Sequence, residues 1–323
     1  MLNPPGQPAV PVVTVVVAAF NVAEYIDEAL FSIRRQSLES TEIIIVDDQS
    51  TDATRERLAQ HEQDDRRVRV LDGAGRGPAA ARNLAIAQAQ GRWIAIVDAD
   101  DVIAPDRLAR MTQEAERRSV DAIADNMTAF YEGDPTRDHP WINPDVWPTS
   151  RSLSFGDLMN GGLGDPPAPE LGYLKPILRK DRLAALESPY RETLVIGEDF
   201  DLMARWTAAG FSYRYMPEAA YRYRRRVSSL SYRLTPEQLD DMIHALDSLD
   251  TTAPCFDGAS VDRRRIALLQ TQQYARRIDR LKRGDASALV AFLLESDSRR
   301  RLAISIREGL VRRLGALRVR PRS

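Results

Sequence analysis

An α/β fold is predicted for this chain of 323 residues: a mostly parallel, Rossmann-like sheet covered by helices, with a helical C-terminal extension. Three observations predict it. Short apolar runs alternate with stretches of helical period in the first part of the chain. The helices between the runs are long enough to cross over the sheet, which implies parallel strands covered on both faces. Segments that each carry a polar residue follow the runs, at Phe20-Asn21, Asp47-Asp48 and Asp98–Asp101. Sheets of this kind bind their ligands at the carboxyl ends of the strands.

The elements follow in order. Val12–Ala18 is a β-branched run, and Ala23–Gln36 carries Ile26, Leu30 and Ile33 at three- and four-residue steps. Glu42–Val46 is a second strand, and Ser50-Thr51-Asp52 offers an N-cap for a helix through Leu58. Val68–Leu71, a helix over Pro78–Gln90 with proline at its start, and the strand Trp93–Val97 complete the pattern. From 134 to 169 the chain is rich in Pro, Gly and Asp and reads as long loops around a short helix, with Trp141 and Trp147 as candidate ligand contacts. Glu198–Ala209 is a helix ended by Gly210, Ser212–Tyr215 a strand, and the chain from Pro236 onward helical and polar.

Composition narrows the class. An apolar content of 43% with 28% charged residues fits a globular protein, and one cysteine, Cys255, excludes an internal disulfide framework. No stretch approaches the ~18 apolar residues that span a bilayer. The expectation is therefore a cytoplasmic protein, peripheral at most on the inner face of the cell membrane. The net charge of −2 hides a basic tail: between Arg299 and Ser323 only Glu308 is acidic. Leu302, Ile304, Ile306, Leu310, Val311, Leu314 and Leu317 recur there on a mainly helical period. Such a helix either lies on an anionic membrane, through 299–320, or packs its apolar face on the rest of the protein. A basic face with interleaved aromatics is lacking in the first half, which argues against nucleic acid.

Four groups of residues carry chemistry. Asp98-Ala99-Asp100-Asp101 ends a strand, and carboxylates spaced Asp-x-Asp there can hold a hard divalent cation that bridges a diphosphate. Asp47-Asp48 either caps the next helix or offers a carboxylate to the N–H of a nucleotide base. The glycines of Gly73–Arg82 form a plain turn or let backbone approach a phosphate at a helix N-terminus. Gly197-Glu198-Asp199 opens a helix, where acidic residues complement the dipole or supply a general base.

Together these groups resemble the family 2 glycosyltransferases, as found among bacterial enzymes of exopolysaccharide and cell-surface glycan synthesis. The resemblance rests on Val15–Asn21, Ile45–Asp52, Pro78–Asn83, Asp98–Asp101, Gly197–Leu202, Tyr223-Arg224 and Ser229-Leu230-Ser231, in the family's order. It implies a GT-A catalytic domain over 10–232, with a nucleotide-sugar half (10–125) and an acceptor half (126–232), followed by a helical region over 233–323. By position, Ala18 and Phe20 line the base pocket, Asp48 holds the base, and Arg82 lies near the nucleotide. Asp98 and Ala99 meet the donor, Asp100 ligates Mg²⁺ or Mn²⁺, and Asp199 is the general base with Glu198 beside it. The implied reaction inverts the anomeric carbon of a nucleotide sugar, expected to be a UDP-sugar, on a glycan or lipid-linked saccharide acceptor. Where family members often carry a metal-binding histidine, this chain has Arg226, which can pair with diphosphate oxygens but cannot ligate metal. The Gln-x-x-Arg-Trp segment of polymerising members is absent, which favours addition of one sugar per encounter. Two alternatives remain at this level: a haloacid dehalogenase-type phosphatase with Asp98 as nucleophile, and a catalytically silent sugar-nucleotide-binding protein.

Overall fold

The computed structural model describes residues 10–164, 167–225 and 234–285. Its strands are β1 (Val13–Ala19), β2 (Thr41–Asp47), β3 (Val68–Asp72), β4 (Trp93–Ile96), β5 (Val102–Ile103), β6 (Ala122–Phe130), β7 (His139–Pro140), β8 (Arg151–Ser152), β9 (Ile177–Arg179) and β10 (Tyr213–Arg224). The helices are α1 (Ile26–Arg34), α2 (Thr54–Asp64), α3 (Pro78–Gln88), α4 (Arg107–Arg118), α5 (Phe155–Asn160), α6 (Lys180–Leu183), α7 (Glu198–Ala208), α8 (Pro236–Asp247) and α9 (Gly258–Lys282). One sheet runs in the order β3-β2-β1-β4-β9-β6-β10-β5, with β7 and β8 paired at its margin.

The four longest ladders, β1 with β2, β1 with β4, β2 with β3 and β6 with β10, are all parallel. Their apolar residues explain this. Val13, Val15, Val16 and Val17 of β1 and Ile43 to Val46 of β2 are buried on both sheet faces, which only helix-covered parallel strands allow. Strand β1 lies between β2 and β4, so the chain reverses its direction of travel across the sheet there. The crevice beyond the carboxyl ends of β1, β2 and β4 is the topological switch point where such sheets bind ligands.

Strand β10 is longer than the Ser212–Tyr215 stretch expected from sequence. Pro217 cannot donate to a ladder, and the register against β6 shifts between Met216 and Ala219 and again before Tyr221. These irregularities absorb the proline and let the strand run on to Arg224. The N-cap expected at Ser50–Asp52 also differs: α2 starts at Thr54, and its N-cap, Ala53, has no side-chain cap. Asp52 instead accepts from the N–H of Ala23 and of Thr54, and Ser50 Oγ from the N–H of Asn21. The polar run ties the loop after β1 to the loop after β2.

Helices α8 and α9 pack on each other, and α9 packs on α5. Thr235 and Gln238 form a capping box that fixes the start of α8. Arg264 of α9 stacks on Phe200 of α7, its guanidinium carbon 4.6 Å from the ring centroid. Through these contacts α9 packs against both α5 and α7. The expected boundary at 232, Arg226 with Ser229–Ser231, and the amphipathic tail at 299–320 lie outside the described residues. Among the described residues no helix is long and apolar enough to cross a membrane.

Candidate active site

A cavity of about 1100 Å³ opens at the switch point. It is lined by Ala18, Phe20, Asp48, Arg82, Asp98, Ala99 and Asp100, all singled out from sequence. Glu198 and Asp199 at the start of α7 line it too, as do the apolar side chains of Leu239, Met242 and Leu246 of α8 and Leu268 of α9. Asn21 and Gln49, directly after β1 and β2, both adopt left-handed backbone, with φ of 50° and 66°. Strain of this kind in non-glycine residues concentrates at functional sites.

Asp48 organises the glycine loop. Its Oδ1 accepts from the Gly75 N–H at 2.8 Å and its Oδ2 from the Gly77 N–H at 2.7 Å. A Cβ at Gly73 would lie 2.5 Å from Asp48 Oδ1 and 2.9 Å from its Cα, so only glycine allows this approach. Gly77 then takes φ 91° as the N-cap of α3, with Pro78 following. Phe20 keeps 58% of its surface exposed at the cavity mouth, an aromatic face open to a ligand.

The acidic run divides into three roles by geometry. Asp101 is fully buried and accepts from the Tyr221 hydroxyl and the Arg224 N–H, both at 2.7 Å. Burial, with Asp98 and Asp100 nearby, pushes its carboxyl well above the usual range. Asp101 is a structural acceptor that pins the loop. Asp98 accepts from Arg82 Nη2 at 2.8 Å and lies 2.8 Å from Lys175 Nζ, so each of its oxygens meets a cation. Burial alone would raise Asp98, but Lys175 and Arg82 outweigh it and hold the carboxyl far below its ordinary value. Asp100 lines the cavity, while its carbonyl accepts from Arg224 Nε at 2.7 Å.

Arg82 and Lys175 draw together the acidic residues of the loop after β4 and of α7. Arg82 Nη1 donates to Glu198 Oε1 at 2.6 Å and lies 3.6 Å from Asp199 Oδ1. Lys175 Nζ donates to Asp199 Oδ2 at 2.6 Å, and the Tyr190 hydroxyl to Asp199 Oδ1 at 3.1 Å. Burial opposes ionisation of Asp199, yet Lys175 and Arg82 prevail and hold its carboxyl below the ordinary range. Glu198 is raised, by burial first and then by the Asp199 carboxylate. Sequence reasoning found Asp98, Arg82, Glu198 and Asp199 but missed Lys175 and Tyr190. The Leu174-Lys175-Pro176 segment carries no motif, and the burial of its lysine is visible only once the carboxylates have met.

The residues fit a hard divalent cation in one way. Among the described residues no group of three or more His, Cys, Asp or Glu side chains is placed to hold a metal. Of the carboxylates in the run, Asp98 and Asp100 line the cavity and Asp101 is buried behind them. One carboxylate completed by substrate phosphates and water is an ordinary Mg²⁺ environment.

A Rossmann-like sheet whose switch-point cavity joins an Asp-x-Asp loop to a partly buried acidic pair fits a glycosyltransferase of the GT-A fold. The chain belongs to glycosyl transferase family 2, whose model matches residues 14–180. It is 33% identical to the succinoglycan biosynthesis protein ExoO of Rhizobium meliloti (strain 1021), over 100% of this chain and 92% of that protein. ExoU of the same organism, also a succinoglycan biosynthesis protein, is 32% identical over 68% of this chain and 64% of that one. Among solved structures, Staphylococcus aureus TarS (1–349) with UDP-GlcNAc superimposes with a TM-score of 0.62 at 20% identity, covering 80% of this chain and 72% of that chain. The mannosyltransferase PcManGT of Pyrobaculum calidifontis, with GDP-Man and Mn²⁺, gives 0.56 at 19% identity, covering 93% and 81%. These two share the fold. Family membership sets aside the phosphatase alternative.

Proposed function

We propose that the chain transfers one sugar, with inversion, from a UDP-sugar to a hydroxyl of a glycan or lipid-linked saccharide in exopolysaccharide or cell-envelope glycan synthesis. The observation that carries this reading is the ring of ion pairs that joins the loop after β4 to the start of α7 across one cavity. Similarity to ExoO over the whole chain supports the polysaccharide setting. The apolar wall from α8 and α9 supports an acceptor with an apolar part.

In this reading Ala18, Phe20 and Asp48 hold the base, and Arg82, Asp98 and Ala99 border the donor. Asp199 takes the proton of the acceptor hydroxyl, whose oxygen forms the new bond to the anomeric carbon as the bond to the diphosphate breaks. Asp100 would hold Mg²⁺ or Mn²⁺, which when bound neutralises charge on the departing nucleoside diphosphate. Arg226 would assist by pairing with the diphosphate oxygens.

Thermal stabilisation by a panel of UDP-, GDP- and dTDP-sugars in Mn²⁺ tests the donor, and a response to GDP-sugars alone would overturn the UDP assignment. Asp100→Ala is expected to weaken UDP binding in Mn²⁺ by at least the ~1.5–3 kcal/mol of a charge-assisted contact, about 10–150-fold in Kd. Unchanged affinity by calorimetry in Mn²⁺ would remove Asp100 as a ligand. The basic tail is proposed to touch an anionic membrane surface. The full chain should then co-sediment with phosphatidylglycerol vesicles and a chain cut before Arg299 should not; equal sedimentation of the two refutes the contact.

A further inference from the structure

Lys175 belongs to no motif, yet it occupies the centre of the site. Its side chain is 7% exposed, and its ammonium stands 2.8 Å from Asp98 Oδ2 and 2.6 Å from Asp199 Oδ2. Asp98 comes from the loop after β4 and Asp199 from the first turn of α7, elements that approach only through long-range packing. A buried lysine keeps its charge only when carboxylates repay the lost hydration. Here Asp199 and Asp98 outweigh burial and hold Lys175 well above its usual value. The backbone beneath it is anchored as well, since Arg107 Nη2 donates to the Lys175 carbonyl.

We propose that Lys175 is a positioning residue for transfer: by bridging Asp98 and Asp199 it sets the base at a fixed place and angle relative to the donor sugar. This rests on the reading of Asp199 as the base. Lys175 touches neither reacting atom; it acts through the two carboxylates. The groups facing Asp199 are Lys175 before β9, Arg82 of α3, Glu198 of α7, Asp98 after β4, Tyr190 and, on β10, Tyr213. Among the described residues only Lys175 donates to Asp199 and at the same time bridges it to Asp98 at hydrogen-bonding distance; Arg82 reaches Asp199 at 3.6 Å.

The test uses the full chain with the UDP-sugar that the stabilisation panel selects, following release of UDP when water is the acceptor. Lys175→Gln keeps a hydrogen-bond donor but removes the charge. It is expected to lower kcat about 10–100-fold, the range for residues that orient a catalytic group, with KM for the donor little changed. Without the ammonium, burial of Asp199 is less opposed, so the acid limb of the kcat profile should move to higher pH. Lys175→Arg retains a cation and should keep the acid limb in place while kcat falls, because a planar fork cannot reproduce the same bridge. A Lys175→Gln protein with kcat and acid limb unchanged overturns the proposal, as does one that raises KM alone. Should Lys175→Gln fail to fold, a Lys175→Arg protein with wild-type kcat would assign Lys175 to folding only and overturn it equally. Asp199→Asn separates the two readings. If that variant retains full rate, the base assignment fails; if it collapses while Lys175→Gln is unaffected, only the positioning role fails.

Discussion

Asp199→Asn is expected to reduce sugar transfer by about 10²–10⁴-fold, the usual contribution of a positioned general base, while UDP binding in Mn²⁺ stays nearly intact. The electrostatics of the site explain why this variant should fold. Three carboxylates, Asp98, Glu198 and Asp199, surround two cations, Arg82 and Lys175. Loss of the Asp199 charge leaves two against two, and the asparagine oxygen can still accept from Lys175 Nζ. The wild-type acid limb should lie below the ordinary carboxylate range, since Lys175 and Arg82 lower Asp199 against the effect of burial. Rate is therefore expected to be flat through neutrality and to fall only as pH drops through that depressed value. The same shift contributes stability above the unfolded carboxyl value of ~3.9, lost as pH falls through the folded one. Calorimetry with UDP beside a transfer assay checks both halves. Normal transfer by the variant would remove Asp199 as the base, and loss of both binding and transfer would point to a misfolded site. Normal UDP binding with no transfer in the wild type, on every donor and acceptor tried, would instead favour the silent-binding alternative.

What was legible in the sequence follows from the range of the forces involved. Strands β1 to β4 and helices α1 to α3 could be read because each has a local period, and Asp98, Arg82 and Asp199 because each lies in a recognisable segment. Lys175 and Tyr190 could not, because their partners come from distant parts of the chain. Trp141 and Trp147 show the limit for single aromatics. Trp147 packs edge-on against Tyr215, with Arg151 over its ring, which is a packing role. Trp141 packs at a tilt against Tyr173 and edge-on against Tyr223, both of which line the cavity, so it supports the wall from behind. The continuation of β10 past Pro217 was equally invisible, since local propensity argues for a stop and only pairing with β6 overrides it.

Asp125→Ala is expected to cost about 3–5 kcal/mol of stability, the penalty for leaving a buried charge without its partner. Arg107, at the first position of α4, is 1% exposed, and Asp125 in β6 is 2% exposed. Arg107 Nε and Nη2 both reach the Asp125 carboxylate, at 2.8–3.1 Å. Its guanidinium carbon also lies 4.9 Å from the centroid of Tyr221, whose hydroxyl donates to Asp101, and Nη2 donates to the Lys175 carbonyl. The pair therefore links the fold to the site, since it supports both the acidic loop and the backbone that carries Lys175. Its fit is not perfect: among the described residues Arg107 Nη1 is buried without a hydrogen-bond partner. An ion pair with that residual cost need not be more stable than an apolar replacement of similar volume. A double variant, Arg107→Met with Asp125→Leu, should accordingly recover much of the loss in urea unfolding, where Asp125→Ala lowers the midpoint by about 1–3 M. Transfer should nevertheless stay low in the double variant, because no apolar side chain holds the Lys175 carbonyl in place. If stability and transfer return together, the Arg107 pair serves the fold alone and places nothing in the site.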